Sequence, residues 1–407
     1  MEWKKYRLGC LSHSIQTGPF GSQLHQSDYS EEGTPVIMPK DIVEGRVVED
    51  NIARVSDIHI QRLKRHKVKC GDVVYSRRGD VGRCALVGEK EDGWLCGTGC
   101  LKVELNKEKV LPPFLFYILQ RQDSVGWVES HAVGSTMPNL NTGILAKLPV
   151  FLPTLNLQHR IASILSTYDT LIENNTKRIH LLEKMAENLY KEWFVRFRFP
   201  GYEKVEMENG LPKGWKIARI KDYGRIETGK TPSTKVSANY VGKYMFIKTP
   251  DMHDGIFVNH TEETLSDIGN NSQPKKLLPP NSIMVSCIGT GGVVAINTLP
   301  AHTNQQINSI VLSDNSNLEW LYYVCKGLKP TIELFGATGA TMTNLSKGKF
   351  EKMKLIEPPK DIRVEFHNKI MGVFELINKL TNQNTLLVRQ RDLLLPRLMS
   401  GKLEVKP

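Results

Sequence analysis

Residues 161–193, IASILSTYDTLIENNTKRIHLLEKMAENLYKEW, decide how this chain is read. Leu165, Ile172, Ile179, Ala186 and Trp193 recur every seven residues, and Ile161, Tyr168, Asn175, Leu182 and Leu189 fill a second line. A 3,4 spacing held over four heptads marks a coiled-coil seam, because a 3.5-residue repeat keeps one apolar line facing a partner helix. Adding 205 to each number gives a second seam: Ile370, Ile377, Asn384, Arg391 and Leu398, with Phe366, Val373, Leu380, Leu387 and Leu394. The polar intruders Asn175, Asn384 and Arg391 cost stability but fix register. The competing reading is two helices lying on separate cores. Pro149 and Pro153 precede the first helix and Pro358 and Pro359 the second. Phe199-Pro200-Gly201 stops the first, whereas the second meets Pro396 and then Ser400-Gly401.

The repeat extends outward from the helices. Trp3 is echoed by Trp215, and Ile15-Gln16-Thr17-Gly18 by Ile226-Glu227-Thr228-Gly229. Val36-Ile37-Met38-Pro39-Lys40-Asp41-Ile42 matches Phe246-Ile247-Lys248-Thr249-Pro250-Asp251-Met252. Asp72-Val73-Val74-Tyr75-Ser76 matches Ser282-Ile283-Met284-Val285-Ser286, and Gly134-Ser135-Thr136-Met137-Pro138-Asn139-Leu140 matches Gly339-Ala340-Thr341-Met342-Thr343-Asn344-Leu345. Five matches in one order describe an internal duplication. Short β-branched runs (Val73 to Tyr75, Ile283 to Val285, Ile307 to Leu312) and one amphipathic helix per copy, near 114–122 and 318–327, predict α+β units of about 150 residues. The expected division is a globular unit over 1–152, a long helix over 153–200, a second globular unit over 201–357 and a second long helix over 358–407.

The chain has 407 residues, 40% hydrophobic and 24% charged, as globular proteins do. A net charge of +11, spread along the chain rather than held in one tail, suits a polyanionic partner. No segment approaches the roughly 18 apolar residues of a membrane helix, and Met1 to His13 lacks the apolar stretch of a signal peptide. Seven cysteines, an odd number, predict reduced thiols and a cytoplasmic location. Cys96 and Cys100 form a C-x3-C pair with no second pair or His pair at matching spacing, so no metal is expected.

Two motifs raise the question of catalysis. Gly224-Arg225-Ile226-Glu227-Thr228-Gly229-Lys230-Thr231 satisfies the P-loop pattern, which needs a hydrophobic strand before it and a helix after it so that backbone N–H groups cradle phosphates. Here a polar stretch precedes it, Pro232-Ser233-Thr234 follows it, and the other copy, Ile15-Gln16-Thr17-Gly18-Pro19, has no lysine. Leu111-Pro112-Pro113-Phe114 resembles the tetrad of adenine-N6 methyltransferases but has leucine where an amine acceptor is required. Gly289-Thr290-Gly291-Gly292 reads as a turn, like Gly79-Asp80-Val81-Gly82. No catalytic residues are assigned.

Taken together the chain resembles the specificity subunit of type I restriction-modification systems. The carriers are Thr17-Gly18-Pro19 and Thr228-Gly229-Lys230-Thr231-Pro232, Gly71-Asp72-Val73-Val74, the closing Gly-Ser-Thr-Met-Pro-Asn-Leu loop and its echo, the helix exit Leu189 to Phe197, and Leu398-Met399-Ser400-Gly401-Lys402-Leu403. The resemblance implies two tandem target recognition domains separated by two long helices in an antiparallel coiled coil, a pseudo-twofold internal repeat. Each domain would read half of a split DNA site, with the helices as a ruler. It further implies no active site in this chain, two modification subunits that methylate adenine with S-adenosylmethionine, and restriction subunits that use ATP and Mg2+. A stand-alone duplicated DNA-binding regulator is the alternative.

Candidate DNA contacts follow from residue type and place. Arg62, Lys64, Arg65, Lys67 and Lys69 form a basic run suited to phosphates, and Lys40 and Thr17 lie at matched turns. Arg77 and Arg78 follow a strand and suit guanine. In the second copy Thr228, Lys230, Lys248, Thr303, Asn304, Gln305 and Gln306 stand at comparable edges, where Asn and Gln suit adenine.

Overall fold

The computed structural model describes residues 3–20, 23–134, 138–336 and 343–403. The chain forms two compact units, Met1–Glu173 with Leu386–Pro407, and Asn174–Thr385. In the first unit, strands β1 (Lys4–Arg7), β2 (Ser12–Thr17), β3 (Thr34–Ile37), β4 (Val73–Ser76), β5 (Cys84–Leu86), β6 (Leu95–Cys96) and β7 (Cys100–Leu105) precede helix α1 (Pro112–Leu119), β8 (Pro149–Leu152) and the long α2 (Leu155–Tyr190). The second contains β9 (Lys216–Arg219), β10 (Gly224–Thr228), β11 (Tyr240–Ile247), β12 (Ile283–Ser286), β13 (Val294–Asn297), β14 (Ala301–Thr303), β15 (Ile307–Leu312), α3 (Leu318–Gly327), β16 (Lys354–Glu357) and the long α4 (Lys360–Met399).

The first unit is built on the antiparallel sheet β2-β7-β4-β5. Strand side chains alternate between faces, so Val73 and Tyr75 of β4 join a core with Leu101, Val103 and Phe114, while Val74 enters a second core with Ile37, Cys96 and Cys100. Both faces of β4 are therefore covered, which is why it reads as an unbroken apolar run. The second unit repeats the arrangement as β10-β15-β12-β13, with Met284 and Ile307 turned to one core and Ile283, Val285 and Ile310 to the other. Helix α1 opens with Pro112 and Pro113 in its first turn, where a missing N–H costs nothing, so the Pro-Pro-Phe motif is a helix start.

The duplication is visible in the backbone hydrogen bonds. Gly18 N–H donates to the Cys100 carbonyl (3.0 Å) and Gly229 N–H to that of Ile307 (3.1 Å). Gly97 N–H donates to Ile37 (2.9 Å) and Asn304 N–H to Ile247 (3.1 Å). Arg77 N–H donates to Gly99 (2.7 Å) and Cys287 N–H to Gln306 (2.7 Å). Leu8 N–H donates to Leu148 (2.9 Å) and Ile220 N–H to Met353 (3.1 Å), where β1 pairs with β8 and β9 with β16.

Both long helices contribute to both units, and in each unit they run antiparallel. In the first, Arg391 donates to Asp169 (2.8 Å), and Ile161 and Leu165 share a core with Leu398 and Met399. In the second, Asn175 Nδ2 donates to Asn384 Oδ1 (3.0 Å), and Phe194 meets Phe366 edge-on at 4.9 Å. Leu165, Ile370, Ile377, Leu380 and Leu387 are buried, and Ile172, Ile179, Leu182, Leu189 and Leu394 half-buried, as the seam requires. Helix α4 runs through Pro396, which lies in its last turn, and stops at Gly401 with φ +69°. After α2, a π-helical turn at Lys191–Val195 puts Trp193 and Phe194 into the core with Trp215. Among the described residues no helix is long and apolar enough to cross a membrane. No group of three or more metal-ligating side chains gathers among them.

Candidate nucleic-acid interface

One short segment in each unit gathers the edge where several strands end. In the first, Gly97 to Cys100 binds the ends of β2, β3 and β4 through the backbone bonds given above. In the second, Asn304 to Ile307 does the same for β10, β11 and β12. The Thr-Gly turns pack against these segments. A Cβ on Gly18 would lie 2.0 Å from the Gly97 carbonyl oxygen, and one on Gly229 2.1 Å from that of Asn304. Glycine is needed at both positions for close approach rather than for an unusual φ.

Each turn rests on a buried neutral imidazole. Arg65 Nε donates to His66 Nε2 (3.0 Å), which leaves the His66 proton on Nδ1, 3.0 Å from the Thr17 carbonyl. Burial and the neighbouring Arg65 and Lys102 cations lower the His66 pKa. In the second unit His302 Nε2 donates to Asn270 Oδ1 (2.9 Å) and Nδ1 accepts from Gln273 Nε2 (3.3 Å), which also donates to the Lys230 carbonyl (3.0 Å). Burial pushes His302 down to about 4. Buried Lys102 donates to the Arg65 and Lys67 carbonyls (3.2 and 2.9 Å), holding the basic turn Lys64–His66 in place. Neither His66, His302, Gln273 nor Lys102 was legible as a site residue, because His66, Gln273 and Lys102 act through backbone carbonyls and His302 through the Gln273 side chain.

The candidate contacts divide accordingly. In the first unit Thr17 and Arg65 are joined through His66, and Arg77, with Arg78 next to it, is tied to Gly99 of the segment that also holds the Thr17-Gly18 turn. Lys64 is exposed beside Arg65, Lys67 is half-buried and bridged to Leu95, and exposed Lys40 lies near Asp41 (3.6 Å). Arg62 is occupied by Asp28 (3.2 Å) and Lys69 by Glu104 (3.2 Å). In the second unit Thr303 is 2% exposed and Asn304 9%, so both face inward. Asn304 Nδ2 donates to Gln306 Oε1 (3.1 Å) and its Oδ1 accepts from the Gln306 N–H (3.1 Å), so both ends of its amide are used within the loop. Gln305 is exposed and accepts from Thr231 Oγ1 (2.6 Å), Thr228 donates to Asn308 (2.6 Å), and Lys248 pairs with Glu263. Lys230 is exposed, its N–H donating to Thr303 (2.9 Å).

Aligning the bridges Lys67–Leu95 and Leu278–Ala301 sets Lys64-Arg65 opposite Lys275-Lys276, a second basic turn missed from sequence. The 211-residue offset of the Thr-Gly turns would have found it. The P-loop octet begins as strand β10, and Gly229 is pressed against Asn304, which leaves no phosphate-sized cradle. The closing loops are described from Asn139-Leu140 and from Thr343-Asn344-Leu345; Ser135 to Met137 and Gly339 to Met342 lie outside the described residues. Leu140 and Leu345 N–H groups donate to the Arg77 and Cys287 carbonyls (2.8 and 2.9 Å).

A family model for the type I restriction modification DNA specificity domain matches residues 1–184 and again 212–389. The chain belongs to this family. Its two matched stretches repeat the duplication seen in the hydrogen bonds. The chain is 31% identical to the HindI specificity subunit of a type I restriction enzyme from Haemophilus influenzae, over 99% of this chain and 100% of that protein. It is 25% identical to the MjaIX specificity subunit from Methanocaldococcus jannaschii, over 91% and 87%. The crystal structure of a type I restriction-modification S subunit from M. genitalium has the same fold, with a TM-score of 0.66 at 15% identity, covering 98% of this chain and 96% of that one. These relatives are restriction-enzyme subunits rather than stand-alone regulators.

Proposed function

We propose that the chain reads a bipartite DNA site, one half with each unit, and directs modification and restriction subunits to it. The observation that carries this is the repeated edge: the same backbone bonds present different side chains in the two copies. A constant frame with variable readers is what two independent half-sites demand. The cations at these edges, Lys64, Arg65 and Arg78 in one unit and Lys230 and Lys275 in the other, suit phosphate contacts, which position the protein without reading sequence. The chain itself carries no catalytic group in this reading. S-adenosylmethionine, ATP and Mg2+ belong to the partner subunits, with two modification subunits per chain, in the cytoplasm.

The test is long-read methylome sequencing of a host carrying the modification subunit with and without this chain. A two-part adenine-methylated motif that appears only with the chain is the expected result. Methylation that is unchanged by its removal would refute the assignment.

A further inference from the structure

At the edge of the first unit one side chain is held in a way that no other candidate contact shares. Arg77 has both backbone groups fixed, its N–H on Gly99 (2.7 Å) and its carbonyl receiving Leu140 (2.8 Å). Its Nε donates to Asn139 Oδ1 (3.2 Å), and Asn139 is itself locked by paired backbone bonds to Val133 (2.9 and 3.1 Å). The guanidinium lies over the ring of Phe20, 5.8 Å from its centre, and Phe20 is 55% exposed. Among the described residues neither terminal nitrogen, Nη1 or Nη2, has a hydrogen-bond acceptor or an acidic partner. The plane is therefore fixed and the two tip donors are open.

Surrounding cations differ. Arg62 is spent on Asp28 and Arg83 on Asp80 (2.5 Å); among the described residues Arg65 uses only its Nε, on His66, and lies over no ring, and exposed Arg78 has no side-chain bond. A rigid planar fork with two parallel donors matches the O6 and N7 acceptors of guanine in the major groove, and fixing it beforehand removes much of the entropic cost of binding. Among the described residues the second unit has no such reader. The position equivalent to Arg77 is Cys287, 1% exposed, and the next residue is Ile288, paired with Asn344.

We infer that Arg77 is a specificity-determining residue that reads one guanine in the half-site bound by the first unit, with Asn139 and Phe20 as its positioning residues. This rests on the DNA-reading function proposed above. It makes the half-sites unequal in kind: one requires a G·C pair at a defined position through an arginine fork, whereas the equivalent position in the other unit is a buried cysteine.

The test is the methylome of a host expressing the full complex with wild-type chain, Arg77→Ala, Arg77→Lys or Arg78→Ala. Both Arg77 variants should relax a single G·C position in one half by about ten- to a hundredfold, the discrimination a bidentate pair supplies, and leave the other half unchanged. Arg78→Ala should lower methylation uniformly without altering base preference. A second measurement does not depend on variant folding. Wild-type complex should bind the mapped duplex about tenfold or more weakly when 7-deazaguanine, which lacks N7, replaces that one guanine, and Arg77→Ala complex should not distinguish the two duplexes. A first-unit half-site with no G·C pair, unchanged base preference in Arg77→Ala, or equal wild-type binding to both duplexes would overturn the assignment. If wild-type chain confers no bipartite motif at all, the DNA-reading function fails instead.

Discussion

The two copies differ in what stands on one shared frame. In the first, the segment joining the strand ends is Gly97-Thr98-Gly99-Cys100, nearly bare, and the reader is an arginine from the neighbouring strand end. In the second the segment is Asn304-Gln305-Gln306-Ile307, whose amides bond to one another and to Thr231 and Thr249, while the neighbouring position is a buried cysteine. The turn beneath is supported by His66 directly in one copy and by His302 through Gln273 in the other. Backbone bonds that define the edge are kept, and side chains that meet solvent are free to diverge. A duplicated reader can change its target without rebuilding its fold.

The largest effect should come from breaking the frame itself. Gly18→Ala or Gly229→Ala puts a methyl about 2 Å from a backbone carbonyl, which costs about 3 kcal/mol. Each should abolish reading of one half-site only, as shown by hydrogen exchange of the affected edge and by the methylome; loss of both halves would contradict independence of the copies. Next is a pH difference. His302, held near 4 in the fold against 6.5 when unfolded, stabilises its unit fully above pH 6.5. That contribution, about 3 kcal/mol, is lost as pH falls from 6.5 toward 4. Hydrogen exchange should show strand β14 loosening over that range, and His302→Asn should flatten the dependence. A pH-independent β14 would exclude the buried neutral histidine.

Smaller effects are expected on the helices. Asn175→Ala should cost about 1–2 kcal/mol by leaving the Asn384 amide short of one partner, whereas leucine at both 175 and 384 should match or exceed wild-type stability and loosen register. Thermal unfolding of the pair of variants decides this, and a neutral Asn175→Ala would show that the seam amide does nothing. Least of all, Arg62→Ala should leave base preference and stability unchanged, since its guanidinium is exposed and already spent on Asp28. A relaxed half-site would instead make Arg62 a reader.

The frame was the legible part. Heptads, paired turns and strand starts recur at near-constant offsets because burial and backbone approach tolerate few residue types at those places. Phe374, buried in the second seam zone, escaped because its counterpart under the 205 shift is Asp169, which pairs with Arg391 instead. The readers were only half legible. Thr303 and Asn304 stand in a polar run, as edge residues do, yet they turn inward to brace the loop. Sequence identifies a polar run but not which of its members is consumed by its neighbours. Lys275-Lys276 was missed because the basic turn has a different spacing from the strand that follows it.

The most direct test of the central claim, two independent readers on one frame, replaces residues 210–355 with the equivalent stretch of the Haemophilus influenzae HindI relative. Methylated sites are then sequenced. One half of the motif should change to a new sequence while the other half keeps every base, the G·C pair assigned to Arg77 included. A change in both halves, or in neither, would contradict the account.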